Sequence, residues 1–194
     1  MTFDAGARWE SSAVTAEVSA YQSDYQDYIF LAPTNQFQDG LRIHRHEQAK
    51  ARVKGVELGA HAEVISGLRV GGVFDAVKGE NRNSNEPLPW IPAARGRVEV
   101  DYATTRIADR AQFGINVEHV AEKTELAQNE TKTAAYTLLN LEAGLSTHAT
   151  GRKLGIDLRV RNATNKSYRD FLSRYKDFAL NPGRDIVIRV AIGG

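Results

Sequence analysis

The stretch "LGIDLRVRNATNKSYRDFLSRYKDFALNPGRDIVIRV", residues 154–190, decides the fold class. At each of its ends, apolar residues alternate with glycine, charged or other residues. The alternating apolar positions are Leu154, Ile156, Leu158, Val160, Ile186, Ile188 and Val190. A period of two places these side chains on one face of a β-strand and the intervening ones on the other. The stretch therefore predicts two strands joined by a long loop rich in aromatic and basic residues.

The same alternation recurs along the rest of the chain. It predicts about nine strands, near residues 2–10, 13–30, 46–64, 68–80, 91–104, 109–121, 134–147, 153–163 and 184–193. No segment of comparable length carries the apolar stripe of an amphipathic helix. The pattern therefore predicts an all-β protein.

The connections between these strands are of two alternating kinds. Short turns are predicted at residues 11–12, 65–67, 105–108 and 149–152, and long polar loops at 32–45, 81–90, 123–133 and 165–183. Short turns on one side and long loops on the other are typical of an antiparallel up-and-down transmembrane β-barrel. The strands of a soluble sandwich or lipocalin also alternate between inward and outward side chains. Such folds do not require short turns at one end and long loops at the other.

The two predicted faces differ in composition. One is mostly aliphatic, with Trp9 and Tyr102 near short turns and Tyr21, Tyr25 and Tyr28 near a long loop, as in the aromatic girdles of a membrane barrel. The other face carries Glu17, Asp75, Glu99, Asp101, Glu118, Glu142, Asp157, Arg159 and Asp185. So many charges would be costly in a sealed core but are stable beside a hydrated lumen. That the rings cap a soluble core remains an alternative.

Composition narrows the function classes. The 25 lysines and arginines nearly balance the 24 acidic residues, which does not support a basic nucleic-acid-binding surface. The chain has no cysteine, so disulfides, thiolate metal sites and cysteine nucleophiles are excluded. No apolar run is long enough for a membrane-spanning helix, and no secretory signal follows Met1. We therefore expect either a cytoplasmic protein or the inner portion of an exported one.

Five segments, taken in order, resemble the carboxy-terminal part of a TonB-dependent outer-membrane receptor. They are "YQSDYQDYIFLAPT" (21–34), "ARVKGVELGA" (51–60), "EPLPWIPAARGRVEVDY" (86–102), "YTLLNLEAGL" (136–145) and "LRVRNATNKSYRDFLSRYKDFALNPGRDIVIRV" (158–190). Each motif alone is weak, but the five occur in the family's order across nearly the whole chain. Residues 154–190 then correspond to the last hairpin and the last extracellular loop of the barrel.

The resemblance implies a barrel of 22 strands around an amino-terminal plug. Residues 1–194 are then expected to supply about nine strands of its carboxy-terminal part, without the plug, the first dozen or so strands and the usual aromatic terminus. A fragment of this kind is not expected to transport anything alone. The intact protein would take up a metal complex, such as an iron-siderophore, haem or another metal chelate, through the outer membrane of a Gram-negative bacterium.

The same resemblance implies the partners. They are TonB, through the missing amino-terminal part, the metal-chelate substrate, and the lipid and lipopolysaccharide of the outer membrane. No cofactor, nucleic acid or catalysis is expected. No nucleophilic serine motif, phosphate-binding glycine loop or paired carboxylates stand out, so an outer-membrane barrel enzyme has no residues in its favour. The main alternative is a soluble, lipocalin-like module that binds a small ligand.

Two groups of residues are candidate ligand contacts. His44 and His46 lie two positions apart beside Glu47, which places both imidazoles on one side of a strand, where they could contact a transition metal or its chelate. A solvated basic loop is the alternative, and two histidines do not specify a metal. In the last loop, an aromatic and basic set could bind an anionic chelate such as a siderophore or haem. Its members are Tyr168, Arg169, Phe171, Arg174, Tyr175 and Lys176, of which Arg169, Arg174 and Tyr175 are the candidate contacts. The alternative is a loop packed on its neighbours and on lipopolysaccharide.

Overall fold

The computed structural model describes residues 1–149 and 151–193. These residues form ten strands: β1 (Thr2–Glu10), β2 (Val14–Gln38), β3 (Leu41–Ile65), β4 (Leu68–Asn81), β5 (Glu86–Pro87), β6 (Arg95–Thr104), β7 (Arg110–Val120), β8 (Tyr136–Ala149), β9 (Arg152–Arg161) and β10 (Asp185–Gly193). Within the described ranges, no helix has the length and apolarity needed to cross a membrane.

All ten strands belong to one antiparallel sheet. Its order follows the sequence from β1 to β10, except that the two-residue β5 pairs only with the end of β4. The first and last strands of this path lie at the two edges of an open sheet. The prediction of an all-β, up-and-down antiparallel architecture is confirmed, and the nine main strands occur in the predicted order.

The predicted long loop at residues 32–45 is wrong. β2 and β3 continue to pair up to Gln38 and Leu41, leaving only Asp39 and Gly40 as the turn. Their φ angles of 52° and 79° are those of the tight turns that Asp-Gly favours in β-hairpins. Prolines and polar residues made this segment resemble a loop, but two register shifts in the ladder accommodate them.

The outer half of this hairpin extends beyond the sheet as a two-stranded ribbon. β1 pairs with β2 only as far as Ser23, and β4 pairs with β3 only from Ala51 onward. Residues 24–38 and 41–50 therefore have each other as their main pairing partners. Pro33 lacks a backbone N–H, which a two-stranded ribbon tolerates better than the middle of a sheet does.

The apolar face of the sheet is exposed to its surroundings. Directly opposite residues on neighbouring strands form continuous apolar rows, such as Val100, Ile115 and Leu141. Val98 and Ile188 remain 58% and 68% exposed. The face consists mainly of Phe3, Trp9, Val18, Val56, Leu58, Phe74, Val98, Val100, Tyr102, Phe113, Ile115, Val117, Leu141, Leu145, Ile156, Leu158, Ile186, Ile188, Val190 and Ile192. Exposed apolar surface on this scale indicates a non-aqueous neighbour.

The polar face carries ion pairs between neighbouring strands. Their N–O distances are 2.9 Å for Arg95–Asp75 and 3.7 Å for Arg159–Glu142. Tyr21 also lies on this face, where its ring covers Gly55. Tyr25 and Tyr28 pair with Ala51 and Ala49, which share the face of Gly55. These three tyrosines are therefore not part of an apolar-face girdle, because the pleat turns them to the opposite side.

The small core lies on the polar face, at the end of the sheet opposite the β1–β2, β3–β4 and β6–β7 turns. Ala93, Val120, Tyr136 and Leu138 are buried there, and Tyr168 packs against them. Leu88 is buried beside Gly79, whose missing side chain also leaves room for Ile91. Three loops cover this end: the β4–β6 loop (82–94), the β7–β8 loop (121–135) and the β9–β10 loop (162–184). The core thus fixes the loops and not the sheet as a whole.

Candidate functional site

The base of the β9–β10 loop is held by asparagine side chains. The amide of Asn162 accepts a hydrogen bond from the Lys166 backbone N–H (2.8 Å) and donates one to the Lys166 carbonyl (2.9 Å). At the other end of the loop, Asn165 accepts from the backbone N–H of Arg184 (2.9 Å). A side chain on Gly183 would collide with the Asn165 amide, 2.7 Å from where its Cβ would lie. The Asn-rich sequence therefore closes the loop at its base.

The three loops are bonded to one another above this base. Glu130 of the β7–β8 loop accepts hydrogen bonds from the backbone N–H groups of Trp90 (2.8 Å) and Ala127 (2.9 Å). The Tyr136 hydroxyl donates to Asp170 (2.7 Å), which joins β8 to the β9–β10 loop. These bonds make the loops a connected layer over the polar face.

A stack of cations and aromatic rings runs through this layer. The guanidinium of Arg174 lies 4.2 Å from the Trp90 ring centroid, and the ammonium of Lys176 lies 3.7 Å from that of Phe171. A second ammonium, that of Lys123, lies 5.8 Å from the Phe171 centroid. We call these five residues the cation–aromatic stack. Interactions of this kind strengthen as the cation loses water.

Both lysines of the stack are buried, with 8% of Lys123 and 5% of Lys176 exposed. Burial lowers the pKa of each lysine, an effect that is partly opposed by Glu125 and Glu130 at Lys123 and by Glu130 at Lys176. No carboxylate in the described part of the chain lies within ion-pair distance of either ammonium. A ligand that brought negative charge would therefore stabilise their charged forms.

Two cavities open beside the stack. The cationic cavity, of about 380 Å³, is lined by Lys132, Lys166, Arg169 and Lys176, with Asp177 as its acidic residue. Thr131, Thr133, Ser167, Tyr136 and Tyr168 also line it, and the hydroxyls of Thr131 and Tyr136 donate to Asp177 and Asp170. Four cations are suited to an anion that carries more than one oxygen.

The ribbon cavity, of about 470 Å³, lies between the β2–β3 ribbon and the three loops. It is lined by Phe30, His44, Glu47, Trp90, Glu130, Arg174 and Asp177, among others. His44 Nδ1 is 3.2 Å from the Arg42 carbonyl oxygen, and Glu47 forms a 2.8 Å ion pair with Arg45. This cavity combines acidic, basic and aromatic side chains.

The predicted contact residues are thus divided among three places. His44, Glu47 and Arg174 meet at the ribbon cavity, whereas Arg169 lines the cationic cavity. His46 and Tyr175 line neither cavity and are exposed, Tyr175 to 71%. Over the described ranges, no cluster of three or more metal-ligating side chains is present. His44 and His46 therefore have no third protein ligand beside them.

Sequence reasoning missed Trp90, Lys123 and Glu130. Trp90 lies in the segment "EPLPWIP", where an exposed-looking aromatic between prolines could have been weighed as a contact residue. The β7–β8 loop gave no such signal, because "EKTELAQNETK" contains no aromatic residue and resembles any solvated loop. Its role depends on the fold, which places Lys123 against Phe171 some fifty residues later.

An open antiparallel sheet with an exposed aliphatic face, a charged opposite face and loops gathered at one end is a segment of outer-membrane-type β-barrel wall. A family model described as TonB dependent receptor-like, beta-barrel matches residues 1–163. The chain belongs to this family, whose members are outer-membrane receptors of Gram-negative bacteria. The predicted family is confirmed.

Solved structures with a similar fold agree. The copper transporter OprC superposes with a TM-score of 0.84 at 20% identity over 97% of this chain and 30% of its own. BauA, the ferric preacinetobactin receptor from Acinetobacter baumannii, gives a TM-score of 0.74 at 18% identity over 97% of this chain and 28% of its own. The FrpB iron transporter from Neisseria meningitidis (F3-3 variant) gives a TM-score of 0.72 at 17% identity over 97% of this chain and 30% of its own.

These likenesses define the fold. The chain spans less than a third of the length of each of the three proteins. No curated protein matches the sequence. Neither the family nor the similar structures support the soluble, lipocalin-like alternative.

Proposed function

We propose that residues 1–194 form the carboxy-terminal part of the barrel of an outer-membrane transporter that takes up a metal chelate with energy supplied through TonB. The observation that carries the proposal is the pairing of an exposed apolar face with a cation-lined loop layer at one end. In this scheme the sheet supplies barrel wall against lipid, and the loops contact the substrate. The chain itself performs no catalysis.

The loop layer favours an anionic chelate over a free metal ion. A free ion needs several protein ligands, whereas His44 and His46 have no third ligand beside them within the described residues. A chelate brings its own ligands and needs only recognition of its outer surface. The cations of the cationic cavity and the Trp90 ring beside Arg174 supply charge and a flat stacking surface for it.

The three similar structures are named as a copper transporter, a ferric preacinetobactin receptor and an iron transporter. We propose the same general class of cargo here, namely an iron-siderophore, haem or another metal complex. In the mechanism we propose, Arg169 and Lys176 contact the anionic groups of the complex. His44 and Glu47 contact it from the ribbon.

The test uses cells that carry the protein in their outer membrane. Binding is measured for ferric citrate, which is anionic, for a neutral ferric hydroxamate, for haem and for free Cu²⁺. The Arg169→Ser/Lys176→Gln double variant is compared with the wild type and with Arg152→Ser/Lys153→Gln. The control removes two exposed cations from the opposite end of the sheet.

We expect the cavity variant to lose binding of the anionic complexes selectively, while the control retains it. If the wild type and Arg169→Ser/Lys176→Gln bind each of the four probes equally well, the anionic-chelate proposal is contradicted. For the ribbon, replacing both His44 and His46 with alanine tests their contact. Unchanged binding of every metal complex would remove these two residues from the site.

A further inference from the structure

A groove on the apolar face is bounded by two lysines. In the row of opposite residues that forms its floor, Ala5, Ala20, Val56 and Ala76 lie side by side on β1 to β4. In the next row toward the loops, Gln22 is opposite Lys54, and Lys54 is opposite Lys78. The groove has a volume of about 710 Å³. Large side chains of Val18, Leu58 and Phe74 form the row on its other side.

The direct pairing of Lys54 with Lys78 is unfavourable by itself. Like charges directly opposite each other on two strands destabilise a sheet. Glu125 compensates for part of this charge, because its carboxylate lies 2.7 Å from the Lys78 ammonium. The hydrogen bond from Lys78 lowers the pKa of Glu125, as expected for a carboxylate that compensates one ammonium. Within the described residues, Lys54 has no carboxylate at ion-pair distance, so its positive charge is left over.

The charges of the next row do not remove this excess. There, Asp24 forms a 2.7 Å ion pair with Arg52, so its charge is already compensated. Glu80 is opposite Arg52 and forms a 2.7 Å ion pair with Arg82. The end of the groove at Lys54 and Lys78 therefore has uncompensated positive charge, next to the apolar floor formed by Ala5, Ala20, Val56 and Ala76.

We propose that this groove binds one phosphorylated glycolipid of the outer leaflet, with a phosphate between Lys54 and Lys78 and one acyl chain along the alanine floor. The chemistry is complementary at both ends: a phosphate carries more negative charge and more acceptor oxygens than Glu125 supplies. The acyl chain covers apolar surface that the alanines leave recessed. The lysines lie toward the long-loop end of the sheet, which in barrels of this kind faces outward.

The site is separate from the substrate contacts. Arg169, Lys176 and the ribbon cavity belong to the loop layer, whereas the groove is on the apolar face of β1 to β4. The lipid proposal can therefore fail while the transport proposal stands, and the reverse.

The experiment uses protein extracted from outer membranes in mild detergent. Native mass spectrometry counts the bis-phosphorylated lipid A glycolipid retained per protein. The wild type is compared with Lys54→Gln/Lys78→Gln, with the groove-filling Ala20→Phe, and with Arg152→Gln/Lys153→Gln as a control for lost charge. Heat-dependent mobility on gels and circular dichroism verify that each variant is folded.

Each lysine beside an anionic lipid surface contributes roughly a fivefold factor, so the double lysine variant should bind about thirtyfold more weakly. Ala20→Phe should also lose lipid, although both lysines remain. Unchanged retention in Lys54→Gln/Lys78→Gln overturns the proposal, and so does an equal loss in the control. Inorganic phosphate is also added as a competitor. If phosphate displaces the lipid and Ala20→Phe has no effect on lipid retention, the acyl-chain part of the proposal is overturned and the lysines form only an anion site.

Discussion

The Lys176 ammonium lies 3.7 Å from the centroid of the Phe171 ring, and both side chains are buried under the loop layer. Burying an ammonium in such a position is costly unless another group stabilises its charge. Its contact with the ring offsets part of the cost, and an anionic substrate would offset more. The loop layer thus holds positive charge where the proposed chelate binds.

This position should make stability depend on pH. Burial lowers the pKa of Lys176 in the folded protein below the ordinary value of 10.5. In the pH range between the two values, the unfolded chain binds more protons, so raising the pH favours the folded state. Relative to Lys176→Met, the wild type should gain stability as the pH rises toward 10.5. Chemical unfolding of both proteins at several pH values measures the difference, and parallel profiles would contradict a buried, charged lysine.

Binding of an anionic chelate should have the opposite pH dependence. The complex favours protonated Lys176, so affinity should fall as the pH rises through the lowered pKa of the free protein. Titrations with ferric citrate between pH 7 and pH 10.5 measure this fall. In Lys176→Gln the affinity should be weaker at pH 7 and less dependent on pH. A wild type whose affinity is independent of pH up to the ordinary lysine pKa of 10.5 would count against a role of Lys176 in binding.

Tyr21 and Gly55 form a second testable contact, on the polar face. A Cβ on Gly55 would lie 2.6 Å from the Tyr21 hydroxyl oxygen and 2.8 Å from a ring carbon. The rigid ring must therefore move, and Gly55→Ala should cost about 1–3 kcal/mol of the free energy of unfolding. The Tyr21→Ala variant should tolerate the added methyl group at little further cost. Additive effects of the two substitutions, measured by urea unfolding in lipid vesicles, would show that the ring does not depend on the glycine.

The turn of the ribbon gives a prediction that does not depend on packing. Gly40 has a φ of +79°, and no atom beyond its two neighbouring residues lies within 4 Å of where a Cβ would be. Gly40→Ala should therefore cost only backbone strain, about 1–2 kcal/mol. Hydrogen exchange should accelerate at the backbone amides of residues 34–43 and remain unchanged in β8 to β10. Unchanged exchange in the ribbon would mean that the turn does not hold the two strands together.

Much of this fold could be predicted from the sequence because strand alternation is local. In the segments 154–160 and 186–190, the even-numbered positions are apolar, which alone predicts the face on which each side chain lies. The structure places these side chains on the predicted face. The β2–β3 ribbon could not be predicted in the same way. Its strands pass through a bulge near Tyr25 and Tyr28, where the face of β2 changes and parity no longer identifies it. The Asp-Gly turn was the available signal.

The candidate site was less accessible from sequence for a different reason. Arg174 and Trp90 are more than eighty residues apart, and only the order of β4, β6, β7, β8, β9 and β10 brings their loops together. The basic residues of the β9–β10 loop could be identified by composition. The depth of each residue depends on the neighbouring loops. Lys176 is therefore buried in the stack while Tyr175, the preceding residue, is exposed.

The apolar face predicts a strong difference between two arginine substitutions. Leu158 lies on this face of β9, whereas Ala191 lies on the polar face of the neighbouring β10, opposite Gly155. An arginine on the lipid face of a barrel costs about 2–4 kcal/mol near the bilayer midplane. Leu158→Arg should therefore impair insertion into outer-membrane vesicles, while Ala191→Arg should insert normally. Normal insertion of both variants would weigh heavily against a lipid-facing β9.

Single-cysteine spin labelling shows which face of β9 lies in lipid and which lies in water. The chain has no cysteine of its own, so a cysteine placed at each position from 154 to 160 in turn is the only thiol. The protein is placed in lipid bilayers, and each thiol carries a spin label whose collisions with oxygen and with a water-soluble nickel complex are measured. We predict oxygen access at 154, 156, 158 and 160 and nickel access at 155, 157 and 159. Nickel access without alternation, or equal protection at all seven positions, would contradict a sheet with one face in lipid and the other in water.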